Sequence, residues 1–269
     1  AYTMPGSVAL VTFNEGAAQT GNECAIDTSQ LSQGVVGASA RSDARLKFQV
    51  VKGEMSYNYD LPGDGTPIIV PINMGDGPYT FRVMQNTSGN NYVELFSVID
   101  NVNLSSETAP YLVPNVFVNY NESSAVVAKA RELAQGAANQ GDVVRNIYQW
   151  VVDNITYDHD KAAQLASATG YVPDPDATLA AGTGICFDYA SLGAAMLRSL
   201  GIPCQVITGY VSPDDVYHAW NMVYIDGEWI SVEISIKPNS WTRVDLTFAA
   251  SGAASTIGDG TSYTDRYTY

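Results

Sequence analysis

The feature that most constrains this chain is a change of hydrophobic period near residue 120. Before that point apolar residues recur in short, alternating runs, the pattern of half-buried strands. Such runs cover residues 8–13, 46–51, 67–73, 79–84 and 92–99, with Asn, Gly and Ser clusters between them. Asp64-Gly65 and Asp76-Gly77 read as turns. Residues 111–118 read as a last strand or a linker, since Pro110 and Pro114 disfavour a helix. Beyond 120 the period becomes helical. Residues 122–138 are rich in Ala, Val and Leu. In 142–154, Val143, Ile147, Trp150 and Val151 form one stripe, and Asp142 is the expected N-cap. A short helix is expected over 160–168, a loop at 174–176, and a helix over 185–200 closed by Gly201 and Pro203. Strands then return at 205–211, 217–225, 228–236 and 241–248, with turns at Asp226-Gly227 and Pro238-Asn239. The predicted class is α+β: an N-terminal antiparallel β domain over 1–118, then helices packed on an antiparallel sheet over 119–269.

Composition narrows the function. The 269 residues are ample for a sizeable core, and a hydrophobic fraction of 46% argues against disorder. No apolar run is long enough to span a membrane. The net charge of −15 repels phosphate backbones, so nucleic acid is not an expected partner. Only 15% of residues are charged, and Asn, Ser, Thr, Gly and Tyr carry much of the polarity. That flavour points to a secreted or cell-surface protein. A chain starting at Ala1 with no leader is expected of a processed or trimmed protein.

The three cysteines, Cys24, Cys186 and Cys204, are too few for a disulfide framework. Their spacing fits no zinc pattern, so neither metal nor cofactor is expected. Cys204 reads either as a buried thiol or as a partner for Cys24.

The chemistry concentrates at Gly182-Thr-Gly-Ile-Cys186-Phe-Asp188. Here a cysteine follows a glycine-containing loop and opens a predicted helix. A helix N-terminus offers backbone N–H groups and a partial positive charge, which favour a thiolate and a developing oxyanion. The thiolate needs a proton carrier, and the chain has two histidines. His218 lies in an alternating strand, where a rigid backbone suits a general base and acid. His159 lies in the polar stretch Tyr157-Asp-His-Asp and reads as a solvated loop residue.

The order Gly184-Ile-Cys186-Phe-Asp188-Tyr-Ala-Ser-Leu, Ala195-Met-Leu-Arg-Ser-Leu-Gly-Ile-Pro203, Thr208-Gly-Tyr-Val and His218-Ala-Trp resembles the transglutaminase-like superfamily. Ile155-Thr-Tyr-Asp158 is similar to a segment of the same group. The resemblance covers about residues 120–269 and is strongest over 182–248. It is closest in flavour to secreted proteins of Gram-positive anaerobes. It implies a papain-like fold and a Cys-His-Asp triad, with Cys186 on a helix and His218 on a strand. The implied activity is acyl transfer on peptide or glutamine-type amides of a polypeptide substrate.

The family supplies the third member from a Trp-x-x-x-Asp pattern on a later strand. Two stretches resemble it. Trp229-Ile-Ser-Val-Glu233 has the more usual spacing from His218 but ends in Glu. Trp241-Thr-Arg-Val-Asp245-Leu-Thr-Phe lies farther on, carries Asp, and resembles the family's Asp-Pro-Thr-Phe. Asp245 is the preferred carboxylate, with the intervening residues read as an inserted hairpin. Glu233 is its rival, because a two-residue turn at Asp226-Gly227 would set it opposite Trp220.

Other residues read more plainly. Asp188 is expected to charge or cap the helix start. Trp220 reads equally as core and as a groove wall. Tyr157 reads as a packing residue whose hydroxyl could reach an oxyanion. Asp153, Asp158, Asp160, Asp174 and Asp176 lack the spacing of a calcium loop and read as solvated surface. Hydrolysis by a cysteine protease or amidase is preferred over crosslinking, because it needs no second dedicated site. A protein-glutamine transglutaminase and a non-catalytic binding protein retaining the fold are the alternatives. A further reading gives the β domain the main role, as an adhesin.

Overall fold

The structure is a computed structural model of the chain. It describes residues 1–211, 216–236, 242–248 and 263–269, with backbone alone for 210, 211, 216, 217, 233–236, 242–248 and 263–266. Two compact units are present: Val11–Val116, and Ala1–Leu10 together with Phe117–Tyr269. The first ten residues therefore group with the helical part, not with the β-rich part assigned to 1–118.

The Val11–Val116 unit holds β1 (Gln19–Gly21), β2 (Cys24–Asp27), β3 (Val35–Ala40), β4 (Leu46–Lys52), β5 (Met55–Leu61), β6 (Ile68–Pro71), β7 (Gly77–Ser88) and β8 (Asn91–Val102). They form two four-stranded sheets, ordered β1-β2-β3-β6 and β5-β4-β7-β8, with antiparallel pairing throughout. Leu46, Phe48 and Val50 of β4 alternate inward and meet Tyr79, Phe81 and Val83 of β7, all buried. Phe48 and Phe81 stack with ring centroids 6.5 Å apart. The strand expected at 8–13 is absent, and the chain there pairs with no strand. Residues 111–118 are likewise irregular, following a short 3-10 turn at Ala109–Tyr111. The Ala-, Gly- and Ser-rich β3 carried too weak an alternation signal to be read, whereas β5 alternates strictly as Met55, Tyr57, Tyr59 and Leu61 and was overlooked.

The second unit contains α1 (Ala125–Ala134), α2 (Gln140–Asn154), β9 (Thr156–Tyr157), α3 (His159–Leu165), α4 (Pro175–Ala181), β10 (Thr183–Gly184), α5 (Cys186–Ser199), β11 (Cys204–Val211), β12 (Val216–Ile225), β13 (Glu228–Ile236), β14 (Thr242–Phe248) and β15 (Tyr263–Thr268). The last five strands make one antiparallel sheet in the order β14-β13-β12-β11-β15. The class is α+β, as expected.

Local chemistry sets the helix ends. Asn139, not Asp142, caps α2: its side chain accepts from the Asp142 N–H, while the Asp142 carboxylate accepts from the Ala138 N–H. The expected loop at 174–176 is instead the start of α4, with Asp174 as cap and Pro175 at the first helical position. After α5, Gly201 takes φ +79. Its N–H bonds the Arg198 carbonyl and the Ile202 N–H bonds the Leu197 carbonyl, the paired bonds of a glycine-terminated helix.

Helix α5 is the buried centre of this unit, with Leu192, Ala194, Ala195, Met196 and Leu197 fully enclosed. It packs on one face of the sheet, with Ala219 and Val223 of β12, Val206 of β11 and Val232 of β13 in its core. The alternate residues Trp220, Met222 and Ile207 form a separate small cluster. Asn221 ties helix to strand. Its amide donates to the Ala190 and Gln205 carbonyls at 2.9 and 3.1 Å, and its Oδ1 accepts from the Tyr148 hydroxyl at 2.6 Å. Gly193 makes room for this contact: a Cβ there would lie 2.9 Å from both Asn221 Oδ1 and the Tyr148 oxygen.

Candidate active site

Cys186 is the first residue of α5, delivered there by two short parallel strands. Thr183 and Gly184 of β10 pair with Thr156 and Tyr157 of β9, and the Asp158 N–H bonds the Gly184 carbonyl at 2.9 Å. The expected glycine loop is therefore a fixed strand segment ending at Ile185, the N-cap. Ile185 has no side-chain acceptor to offer the helix. Asp188, at the third helical position, supplies the reciprocal bond and accepts from the Ile185 N–H at 2.9 Å.

Asp188 does more than cap. It is fully buried, and its carboxylate also accepts from Lys161 Nζ at 2.8 Å and from the Tyr171 hydroxyl. The Lys161 ammonium lies 4.7 Å from the Tyr171 ring centroid. Burial alone would lower the Lys161 pKa, but its bonds to Asp188 and Tyr171 outweigh that and raise it. Burial, and then the bond to Asp188, raises the Tyr171 pKa. Lys161 and Tyr171 escaped the sequence reading. A buried carboxylate demands a cation, but sequence does not say which of 13 basic residues answers.

Cys186 is partly exposed, whereas Cys24 and Cys204 are buried. All three thiols are free, so Cys24 and Cys204 do not form a bridge. Burial pushes the Cys204 pKa up to about 12, and burial followed by the neighbouring Glu23 raises that of Cys24. Both are thereby held as inert thiols.

A small crevice beside Cys186 is lined by Tyr189, Ala190, Ala219, Trp220, Asn221 and Val232. The cysteine thus meets three consecutive residues of β12, those directly following His218. His218 alternates with Trp220, not with the helix-facing Ala219 and Asn221, and its ring stacks on the indole at 6.0 Å. Trp220 therefore has both expected roles: it walls the crevice and is buried with Ile207 and Met222.

Tyr157 stacks parallel to Tyr189 at 6.3 Å and meets His159 edge-on at 4.8 Å. Its pKa is pushed up to about 12, first by burial and then by Cys186, Asp158 and Asp188. His159 opens α3 instead of lying in a loop. Three residues of the acidic series have structural duties: Asp158 caps α3, Asp174 caps α4, and Asp176 accepts from the Val126 N–H.

Both candidate carboxylates lie on backbone-only strands. Val232 pairs with Asn221, and Glu233 pairs with Asp245. Alternation from Val232 puts position 233, and position 245 opposite it, on the sheet face of positions 218 and 220. The Asp245 and Glu233 side chains lie outside the described residues.

No helix among the described residues is long and apolar enough to cross a membrane. Residues 127–234 match the family model for the transglutaminase-like superfamily. Cytokinesis protein 3 of Schizosaccharomyces pombe is 33% identical over 120 residues, which are 39% of this chain and 12% of that protein. The mouse kyphoscoliosis peptidase is 31% identical over 112 residues, 38% of this chain and 16% of the relative. The chain thus spans a minor part of these relatives. A solved structure from Cytophaga hutchinsonii, provisionally named a cysteine protease, is 18% identical with a TM-score of 0.41, covering 87% of each chain. The segment that carries α1 to β13 is thus similar to the transglutaminase-like superfamily.

Proposed function

We propose that this protein is a thiol-dependent acyl-transfer enzyme that cleaves peptide or glutamine-type amides of polypeptide substrates. One observation carries the reading: the chain's single partly exposed thiol, Cys186, opens a buried helix and borders a crevice against the strand residues that follow His218. The Cys186 thiolate attacks the amide carbonyl carbon, forming a C–S bond, and the oxyanion meets N–H groups of the first turn of α5. The C–N bond breaks as His218 gives a proton to the departing amine, leaving a thioester. Water adds to the thioester, His218 takes its proton, and the C–S bond breaks, releasing the acid and restoring the Cys186 thiolate. An amine in place of water would give crosslinking. Hydrolysis is the simpler outcome, since it needs no acceptor site.

Asp245 is the third member in this reading, holding the second ring nitrogen of His218. Its Trp-x-x-x-Asp setting supports it. The β12–β13 ladder favours Glu233 as an alternative, because Glu233 lies on the strand adjoining that of His218. The low fraction of charged residues supports secretion or display at the cell surface.

Iodoacetamide labelling with adduct mapping tests the reading. Cys186 is expected to label faster than a model thiol at mildly acidic pH and to lose that advantage on unfolding. Labelling no faster than the model thiol overturns it.

A further inference from the structure

Asp188 is a carboxylate side chain enclosed in protein two residues after Cys186. An N3 carboxylate that only capped its helix could do so at the surface. Burial of a charge is costly unless the charge is paired and bonded. Here the bonding comes from two places. The Ile185 N–H belongs to the residue before the cysteine. Lys161 and Tyr171 belong to α3 and the segment that follows it. The packing around Asp188 leaves no slack: a Cβ on Gly184 would stand 2.7 Å from the Asp188 Cβ. Residues 184, 185 and 188 therefore bracket Cys186, and all three meet at one carboxylate.

We propose that Lys161 and Tyr171 are positioning residues for the nucleophile: through Asp188 they fix the turn that carries Cys186 and latch the 159–171 segment to it. The proposal rests on Cys186 being the nucleophile. Two effects follow from the latch. It holds the first turn of α5 where its N–H groups and the β12 crevice share the cysteine. The Lys161 ammonium also balances the Asp188 side chain, which would otherwise oppose a thiolate two residues away. Neither residue needs to touch substrate for either effect.

The test is iodoacetamide labelling of the full chain, with each cysteine's adduct quantified separately. Lys161→Met keeps the stem and removes the charge. It is expected to slow Cys186 labelling about tenfold, the change that follows from disturbing a buried charged bond by somewhat over 1 kcal/mol. Lys161→Arg restores a donor and most of the rate. Tyr171→Phe removes one hydroxyl and slows labelling by a smaller factor, about threefold on the same scale. Cys204, fully buried in the same unit, serves as the internal control and stays unlabelled in all variants. Wild-type labelling rates in Lys161→Met and Tyr171→Phe overturn the latch. So does slower Cys186 labelling accompanied by new labelling of Cys204, which marks general loosening. If wild-type Cys186 is no faster than a model thiol, the nucleophile assignment itself fails, independently of the variants.

Discussion

Glu233 and Asp245 are direct partners across the β13–β14 ladder. The two carboxylates between which the motifs leave a choice thus occupy one rung of one sheet. Adjacent strands lie about 4.8 Å apart, so Glu233 is one strand spacing from β12 and Asp245 is two. Proximity therefore speaks for Glu233, and the Trp-x-x-x-Asp motif for Asp245. With Asp245 as the proposed partner of His218, Asp245→Asn is expected to cut acyl-enzyme formation by orders of magnitude, on the precedent of tautomer loss in catalytic triads. Glu233→Gln should leave it within a few-fold of wild type. Single-turnover measurements on a thioester-forming amide substrate read both. The reverse pattern assigns the role to Glu233.

The Tyr148–Asn221 bond is expected to govern stability. Asn221→Leu leaves the Ala190 and Gln205 carbonyls and the Tyr148 hydroxyl without this partner, each worth about 1–3 kcal/mol when buried. A loss of several kcal/mol follows, read as a lowered midpoint in urea. Tyr148→Phe removes a single donor and should cost about 1–2 kcal/mol. Gly193→Ala should fall between them, since its methyl would press on both polar atoms at 2.9 Å. Equal midpoints for wild type and Asn221→Leu would show that the helix is held to the sheet by apolar packing alone.

A thiol count gives a separate check on the burial of Cys24 and Cys204. In the native protein a bulky disulfide reagent should titrate one cysteine, Cys186, and in denaturant all three. Cys186→Ser should bring the native count to zero. A native count above one would contradict the enclosure of Cys24 or of Cys204.

Much of the architecture was legible because hydrophobic period reports burial directly. Of the stripe Val143, Ile147, Trp150 and Val151, the three aliphatic residues are buried and Trp150 is half-buried, and the strands expected at 205–211 and 228–236 are present within a residue. What stayed hidden depended on partners distant in sequence. β9 and β10 are two residues each, too short for any period, yet they carry Tyr157 to the backbone of Gly184. Asp188 could be read as a helix charge from its spacing, but Lys161 and Tyr171 became visible only once the fold had brought them to it. Asn221 likewise read as one polar position in an alternating strand, and its three bonds needed α2, α5 and β11 in place.

Buried tyrosines predict the protein's behaviour in alkali. Burial first of all pushes Tyr79, Tyr157 and Tyr189 up to about 12, from an ordinary value of 10. Tyr148, fully enclosed, is also raised by burial. A raised folded pKa means that the fold favours the neutral phenol. Its contribution is intact below pH 10, where phenols are neutral in both states, and fades as pH climbs from 10 toward 12 because the unfolded chain ionises first. Stability should therefore fall across that window. In a spectrophotometric titration of the 17 tyrosines, exposed phenols should ionise near 10, and a second group should appear together with loss of the circular-dichroism signal. Tyr157→Phe removes one such group and should move the alkaline unfolding midpoint upward. A single ionisation step near 10 with the fold retained would mean that these phenols are solvated.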